Sequence, residues 1–411
     1  MNEGNCRFCA TPLKHTFVDL GMSPFSNAYL GAKKLHRMEP FYPLHVFVCK
    51  SCFLVQLEEF ESPQRIFSDY AYFSSYSDSW VEHMRRYALA MIERLGLDSA
   101  SHVVEIASND GYLLRHFKER EIPVLGVEPA ANVAAVAQQA DIPTRVMFFG
   151  KESATALAGE HLHADLLVGN NVLAHVPDIN DFVAGLKILL KPNGVVTMEF
   201  PHLLRLMEGN QFDTIYHEHF SYFSLLSVER IFAAHGLVLF DVDELPTHGG
   251  SLRIYARHAE DSTKPVAAAV HGLRERERQA GLDGLAAYAD FAEAVKETKR
   301  SLLDFLISAK RAGKSVVGYG APAKGNTLLN YCGIRSDFID YTVDRSPHKQ
   351  GLFLPGTHIP VCHPDKIRET RPDYLLILPW NLRGEVMGQM ADIRQWGGKF
   401  VVPIPRVEVL A

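Results

Sequence analysis

Residues 103–114 read VVEIASNDGYLL, and the fold turns on how they are parsed. Val103, Val104 and Ile106 are β-branched and apolar, the composition of a strand covered on both faces. Residues 107–111 are small or turn-forming, and Tyr112, Leu113 and Leu114 begin an apolar helical face. The parse is strand, tight turn, helix, with few side chains to keep a ligand from the turn backbone. Residues 124–129, VLGVEP, add a second strand that ends in Glu128 and Pro129. That is the spacing at which doubly wound sheets set a carboxylate on ribose hydroxyls.

Two cofactors compete for this pattern. A dinucleotide wants three glycines and a pyrophosphate over the helix N-terminus, whereas this turn offers Gly111, and Asp110 would repel the phosphates. S-adenosylmethionine has no phosphate; it carries an amino acid and a sulfonium cation, beside which Glu105 and Asp110 are tolerable or helpful. The pattern favours S-adenosylmethionine. A βα unit without a ligand is the plainer alternative, but Glu105 inside an apolar strand needs a partner.

Working outward, candidate strands at 102–106, 124–127, 144–147, 165–169, 194–199, 237–242 and 252–257 alternate with helical segments over the first five. They predict a seven-stranded, mostly parallel sheet in a domain of residues 69–260. Residues 165–178, DLLVGNNVLAHVPD, are a buried strand ending in polar residues. Ligands sit at the carboxyl ends of such strands, so Asn171 and His175 are expected in the crevice of Asp110 and Glu128. Residues 261–312 have helical spacing and predict one or two long helices with a break near Gly281 and Gly284. Residues 313–411 start the pattern again: KSVVGYGAPAKGNTLL (314–329) is strand, Gly-rich turn and helix. A strand at 338–344 ends in an acid, YLLILPWN (374–381) parallels 165–171, and 400–404 is a further strand. The expectation is a second Rossmann-like domain whose turn carries Lys324 in place of the acid. A lysine among backbone N–H groups suits a phosphate, or it is a solvent-facing residue of a packing domain.

The chain has 411 residues, 47% of them hydrophobic, enough for two or three domains with a large core. A net charge of −6 gives no broad reason to bind nucleic acid or an anionic membrane. The start, MNEGNCRFC, lacks the basic and apolar runs of a secretory signal, and no apolar run is long enough to span a bilayer. A soluble, cytoplasmic protein is expected. Four of the six cysteines fall in two pairs, Cys6-x-x-Cys9 and Cys49-x-x-Cys52, a metal spacing rather than a disulfide framework. Four thiolates suit a closed, structural Zn2+ site. Residues 1–68 are thus expected to form a zinc module, with strands at 17–20 and 42–48, whose small core the metal supplements. Cys332 and Cys362 read as ordinary buried or half-buried thiols.

Two stretches remain for chemistry. Residues 67–80, FSDYAYFSSYSDSW, are either a loop packed by its own aromatics or a wall of hydroxyl donors for a polar substrate, with Tyr72 and Ser74 among the donors. Residues 216–222, YHEHFSY, hold two histidines, a carboxylate and two tyrosines, Tyr216 and Tyr222, flanked by Phe212, Phe220 and Phe223. Partly buried titratable groups in a cleft are site candidates. A zinc site on His217 and His219 lacks the helical HExxH spacing, and general acid–base work is the better reading. An extended loop would put His217 and His219 on one side and Tyr216 and Glu218 on the other, so either histidine serves as base. In THGGSLR (247–253) two glycines allow backbone to approach a ligand, and His248 is expected at the same crevice.

Taken together, CRFC with CKSC, VEIASNDGYLL, GVEP, YHEHF, THGGSLR and GYGAPAKGNTLL resemble, in order and over almost the whole chain, the S-adenosylmethionine-dependent sugar C-methyltransferases. These enzymes methylate a carbon of a nucleotide-linked keto-deoxysugar. The resemblance implies a zinc module, a class I methyltransferase domain and a Rossmann-like C-terminal domain. It implies that Tyr216, Glu218 and His219 line the reacting sugar with Tyr70 and His175 nearby. It also implies that Ala107, Asn109, Asp110, Gly111, Glu128, Phe148, Phe149 and Asn171 meet the cofactor. Ala107 stands where the family has glycine, which is tolerated if its φ is negative. The expected reaction abstracts a proton beside the sugar ketone, with His219 as base, Glu218 tuning or orienting it, and His217 as its rival. A sugar or small-molecule O-methyltransferase is the alternative, and an inactive methyltransferase-like binding protein a third. Neither nucleic acid nor membrane is an expected partner, and the chain is expected as a monomer or small homo-oligomer.

Overall fold

The computed structural model describes residues 4–62, 64, 74–76 and 78–411. They pack as two units: residues up to 14, 49–203 and 220–284 form one, and residues 15–48, 204–219 and 285–411 the other. The segment between the two cysteine pairs therefore belongs to the second unit. Tyr70 and Tyr72 lie outside the described residues.

In the first unit β1 (Val103–Ile106), β2 (Val124–Val127), β3 (Thr144–Arg145), β4 (Ala164–Asn170), β5 (Leu190–Pro201), β6 (Leu237–Leu245) and β7 (Ser251–His258) form one sheet in the order β6-β7-β5-β4-β1-β2-β3. Neighbours among β1 to β5 are parallel, and β7 runs antiparallel to both of its neighbours. The order reverses between β1 and β4, which makes their carboxyl ends the ligand-binding end of the sheet. Every residue of β1 and β2 is buried. A Cβ on Gly126 would meet Ser108 Oγ at 2.4 Å and Thr144 Oγ1 at 3.0 Å, so glycine is what lets the turn after β1 lie against β2.

Helices close the sheet by ordinary amphipathic logic. Helix Asp78–Leu95 buries Met84, Tyr87, Ala88 and Met91, one face at i, i+3, i+4, i+7, in a core with Leu113, Leu114 and Phe117. Helix Leu225–Ala234 is capped by Ser224, whose hydroxyl accepts from Ser227 N–H at 3.1 Å. The amides of Leu225 and Leu226 donate to Glu277 at 2.7 and 2.9 Å. His202 Nε2 donates to the same carboxylate at 2.7 Å. Glu277 sits on helix Ala268–Gln279, which packs through Val270 and Leu273 into a second core with Leu225, Val228 and Ile231. The first half of the expected helical connector is thus part of the first unit. The break falls near Gly281 and Gly284, as expected, and helix Phe291–Arg311 belongs to the second unit.

In the second unit β8 (Val316–Tyr319), β9 (Thr342–Val343), β10 (Val361–Cys362), β11 (Tyr374–Ile377), β12 (Lys399–Val402) and β13 (Glu408–Leu410) are ordered β10-β9-β8-β11-β12-β13. Only the last pair is antiparallel. Counted from its first strand, the parallel part runs 3-2-1-4-5, the order of β3-β2-β1-β4-β5, so the second Rossmann-like domain is present. Its second strand is shorter than 338–344: the amides of Phe338 and Ile339 bond to Arg335 O and make a turn. Strands His15–Ser23 and Tyr42–Val48 pair antiparallel, and Phe17 stacks on Phe291 with centroids 4.5 Å apart. Among the described residues no helix is long and apolar enough to cross a membrane.

Candidate active site and metal centre

The two cysteine pairs form matching knuckles. Ala10 N–H donates to Cys6 O and Phe53 N–H to Cys49 O, both at 2.9 Å, with Ala10 and Phe53 at φ 58 and 60°. The four Sγ atoms lie within 4.8 Å of one another, with Cys6–Cys52 and Cys9–Cys49 at 3.5 Å. A tetrahedral zinc with Zn–S bonds near 2.3 Å needs sulfur–sulfur edges of about 3.8 Å, so the residues fit the ion. Gln56 Nε2 donates to Cys6 Sγ at 3.1 Å, a contact of the kind that steadies a ligand thiolate. With all four positions taken by protein, the metal's role is structural. Arg7, inside the first knuckle, donates to Leu57 O and to Pro177 O, the latter at 2.7 Å, and lies 5.4 Å from the Phe220 ring centroid. The knuckle thereby holds loops next to His175 and His219 in sequence.

The turn after β1 is tighter than the sequence implies. Ala107, Asn109 and Gly111 have φ of 55, 50 and 78°, so the negative φ under which alanine would sit here without strain is not what the turn adopts. The reason is the bond from Ala107 N–H to Val127 O at 2.7 Å, which ties the turn to β2. Glu128 accepts from Asn109 N–H at 2.9 Å and from Ala130 N–H at 2.8 Å. Asn109 and Asp110 accept in turn from the amides of Ser74 (2.8 Å) and Ser75 (3.2 Å). Ser74, expected on the substrate side, is buried against the cofactor turn. Burial raises the Glu105 carboxyl well above the usual range, with Tyr112 opposing and Asp110 and Glu128 adding to the rise. Burial likewise raises Glu128, against the two amides. Asp110 Oδ1 and Asn171 Oδ1 are buried with no hydrogen-bond partner among the described residues. Three converging acids and two orphan acceptors suit a cationic, amine-bearing ligand and repel a pyrophosphate, so the residues fit S-adenosylmethionine.

Around this turn the carboxyl ends of β4 and β5 and the amino end of the antiparallel β7 bring further groups together. Asn171, at φ 54°, donates to His248 Nε2 at 3.2 Å, and Trp80 lies 5.4 Å from the His248 ring. Pro129 follows Glu128 at the end of β2. Phe148 is 37% exposed, while Phe149 packs edge-on against Phe182 at 5.3 Å. Phe149 is half-buried, packed against the core of the first unit. Sequence reading missed Glu199, which is fully buried at the end of β5. It accepts from His83 (3.0 Å), Arg253 (2.5 Å) and Thr247 (2.9 Å). Burial pushes its carboxyl up, but these donors together hold it below the usual range. No local signal joins residues so far apart in the chain. His175 is half-buried at the end of a short 3-10 turn, next to Ala174, whose carbonyl accepts from Phe220 N–H at 2.7 Å. Tyr222 is buried in a two-residue strand against Val55.

The YHEH segment, in the second unit up to His219, is a turn and not an extended strand. His219 N–H donates to Tyr216 O at 2.9 Å, so Tyr216 and His219 meet, ring centroids 4.1 Å apart. His217 and Glu218 form the buried apex. The expected pairing of His217 with His219 on one side is therefore overturned. His217 Nε2 donates to Pro43 O at 3.2 Å and its ring lies between Phe25 and Tyr42; burial lowers its pKa to about 4. Asn27 Nδ2 donates to Glu218 at 2.6 Å. His219 Nδ1 is 2.9 Å from Thr214 O; a carbonyl only accepts, so Nδ1 carries the proton. Lys324 lies in the first turn of helix Ala323–Cys332, after the Gly-rich turn whose amides were the expected phosphate grip. One of those amides, Ala321 N–H, is taken by Asp344 at 2.7 Å. The lysine amine instead donates to Asn381 at 2.8 Å and sits 4.6 Å from the Trp380 ring centroid.

A seven-stranded sheet of this order, with its acid-lined turn, defines a class I S-adenosylmethionine-dependent methyltransferase. Profile matches cover a zinc binding domain at 6–67, a methyltransferase domain at 80–242 and a C-methyltransferase C-terminal domain at 246–405. The chain is 36% identical to the C-methyltransferase NovU of Streptomyces niveus over 406 residues, 99% of this chain and 96% of that protein. It belongs to the S-adenosylmethionine-dependent C-methyltransferase family. Among solved structures it is similar to the Burkholderia thailandensis 1,6-didemethyltoxoflavin-N1-methyltransferase (18% identity, 50% of this chain and 95% of that one, TM-score 0.36). It is also similar to the magnesium protoporphyrin IX methyltransferase of Synechocystis (15%, 47% and 88%, TM-score 0.33). At such TM-scores neither likeness bears on the substrate.

Proposed function

We propose that this C-methyltransferase acts on a ring carbon of a nucleotide-linked 4-keto-deoxysugar, with His219 as the base that forms the enolate. The observation that carries the reading is the tautomer of His219. With Nδ1–H given to the Thr214 carbonyl, the lone pair of the neutral ring is on Nε2. A sugar C–H is acidic only beside a carbonyl, so the reaction needs a base and donors for the enolate oxygen. Tyr216, against the His219 ring, supplies a hydroxyl; His175 and Tyr70 are the further donors. Glu218, held by Asn27, steadies the turn, and Tyr222 and His248 are assigned to the sugar nucleotide. His217 is a poorer base, since its Nε2 already donates to a carbonyl and its ring is buried. Glu105, Asp110, Glu128 and Asn171 would hold S-adenosylmethionine, which when bound supplies an electrophilic methyl group on a sulfonium. The relative NovU, a C-methyltransferase by name, supports carbon as the acceptor.

The test is mass spectrometry of reactions with a panel of nucleotide-linked 4-keto-deoxysugars in deuterium oxide. The expected result is methyl gain on a ring carbon, and deuterium at that carbon when the cofactor is omitted. Methyl gain only on reduced, hydroxyl-bearing sugars, without exchange, would overturn the reading in favour of O-methylation. A folded His219→Gln protein should lose the exchange; wild-type exchange would move the base elsewhere.

A further inference from the structure

His219, read above as the base, gives its Nδ1–H to the backbone carbonyl of Thr214, and the two residues flanking that carbonyl are each fixed by a buried side chain from the C-terminal part of the same unit. On one side Asp213, fully buried, accepts from Trp380 Nε1 at 2.7 Å. Lys324 lies 4.6 Å from the Trp380 ring centroid and is held by Asn381 at 2.8 Å, so the indole is itself clamped. On the other side Ile215 O accepts from Thr327 Oγ1 at 2.9 Å. Thr327 is 1% exposed, on helix Ala323–Cys332. The peptide plane between residues 214 and 215 is planar and stiff. Its N–H donates to Phe212 O at 3.0 Å, and its C=O takes the proton of His219 Nδ1. A buried hydrogen bond at each neighbouring residue leaves that carbonyl little freedom to turn away.

We propose that Trp380 and Thr327 are positioning residues for the reaction. Acting through Asp213, Ile215 and the Thr214 carbonyl, they hold His219 in the tautomer whose Nε2 can accept a proton. Neither residue is assigned to the substrate or cofactor. The proposal gives the half-buried Lys324 a task the sequence did not suggest, that of holding the indole which fixes Asp213. It rests on the reading of His219 as base, and the experiment separates the two.

Thr327→Val removes the hydroxyl at nearly constant volume, Trp380→Phe removes the indole N–H, and Thr327→Ser restores a hydroxyl. Each protein, once shown by its melting temperature to be folded, is labelled with 15N-histidine, and the His219 ring is assigned by comparison with His219→Gln. Wild type should show one neutral tautomer, with the proton on Nδ1. Thr327→Val and Trp380→Phe should show a mixture. An imidazole in the wrong tautomer cannot act as base, so kcat should fall about 10- to 100-fold with KM within about 3-fold, and Thr327→Ser should recover most of the loss. A single Nδ1–H tautomer with wild-type kcat in both folded variants would overturn the proposal. A mixed tautomer with unchanged proton exchange would support the positioning and sink His219 as the base.

Discussion

Ala107→Gly should stabilise this protein, although glycine in place of alanine usually does the reverse. Ala107 has φ 55° in the turn after β1, held there by its amide bond to Val127 O. An L-residue in the left-handed region costs about 1–2 kcal/mol relative to the right-handed one. Glycine escapes that cost but loses about 0.5–1 kcal/mol through its freer unfolded chain. The difference is a gain of about 0.5–1 kcal/mol, which for a unit of this size raises the melting temperature by about 1–4 °C. The control is Ala156→Gly, an exposed position inside helix Lys151–Gly159. The same chemical change there should cost about 1 kcal/mol. Both proteins would be melted in parallel by calorimetry, with S-adenosylmethionine omitted so that binding does not contribute. A fall in melting temperature for Ala107→Gly equal to that of Ala156→Gly would show that the turn does not hold the left-handed conformation. The argument from the β2 tether would then be wrong.

Glu277→Ala would orphan three buried donors, His202 and the amides of Leu225 and Leu226; a loss of about 3–5 kcal/mol is expected, read as a lower denaturation midpoint, and a loss within error would remove this helix from the core. Chelation of zinc should unfold the knuckles and release Arg7 from Pro177 and Leu57. Activity should fall with metal content and return on adding Zn2+, whereas an apo protein with full activity would end the structural assignment. His217 is held below its ordinary 6.5, at about 4, by burial. As pH falls the unfolded chain takes up the proton first, so stability is complete above about pH 6.5 and is lost progressively down to about pH 4, by about 3 kcal/mol in all. Denaturation midpoints across that range should fall less steeply in His217→Gln, and identical slopes would refute the buried placement.

The parts of the fold that were legible are those whose cause is local. β1, β2 and β4 are runs of β-branched and aliphatic residues buried on both faces and closed by Asn, Asp, Gly or Pro, so period and boundary agree. The zinc centre is legible because each knuckle is set by its own spacing. The second domain was readable as a repeat of the first, down to the acid: Asp344 accepts from Ala321 N–H and Ser346 N–H as Glu128 does from Asn109 and Ala130. What failed was equally physical. β10 and β13 are two and three residues long, too short to show a period. The strand expected at 338–344 lost its first half to a turn that no glycine or proline marks.

The site divides in the same way, and the division bears on which histidine is the base. Alternation along YHEHF puts His217 and His219 together, and that inference holds only for an extended chain. The chain turns here because its apex is fixed from far away in sequence: Glu218 by Asn27, and His217 by Pro43 O and the rings of Phe25 and Tyr42. None of these partners can be read from residues 216–222. Once the turn forms, the two histidines stop being equivalent. His217 enters an aromatic cage in which protonation is costly. His219 instead shares its face with Tyr216 and gives Nδ1–H to a carbonyl. The two histidines that sequence spacing leaves equivalent are thus told apart by non-local packing, and a substitution that moved the apex, such as Asn27→Ala, would act on both at once.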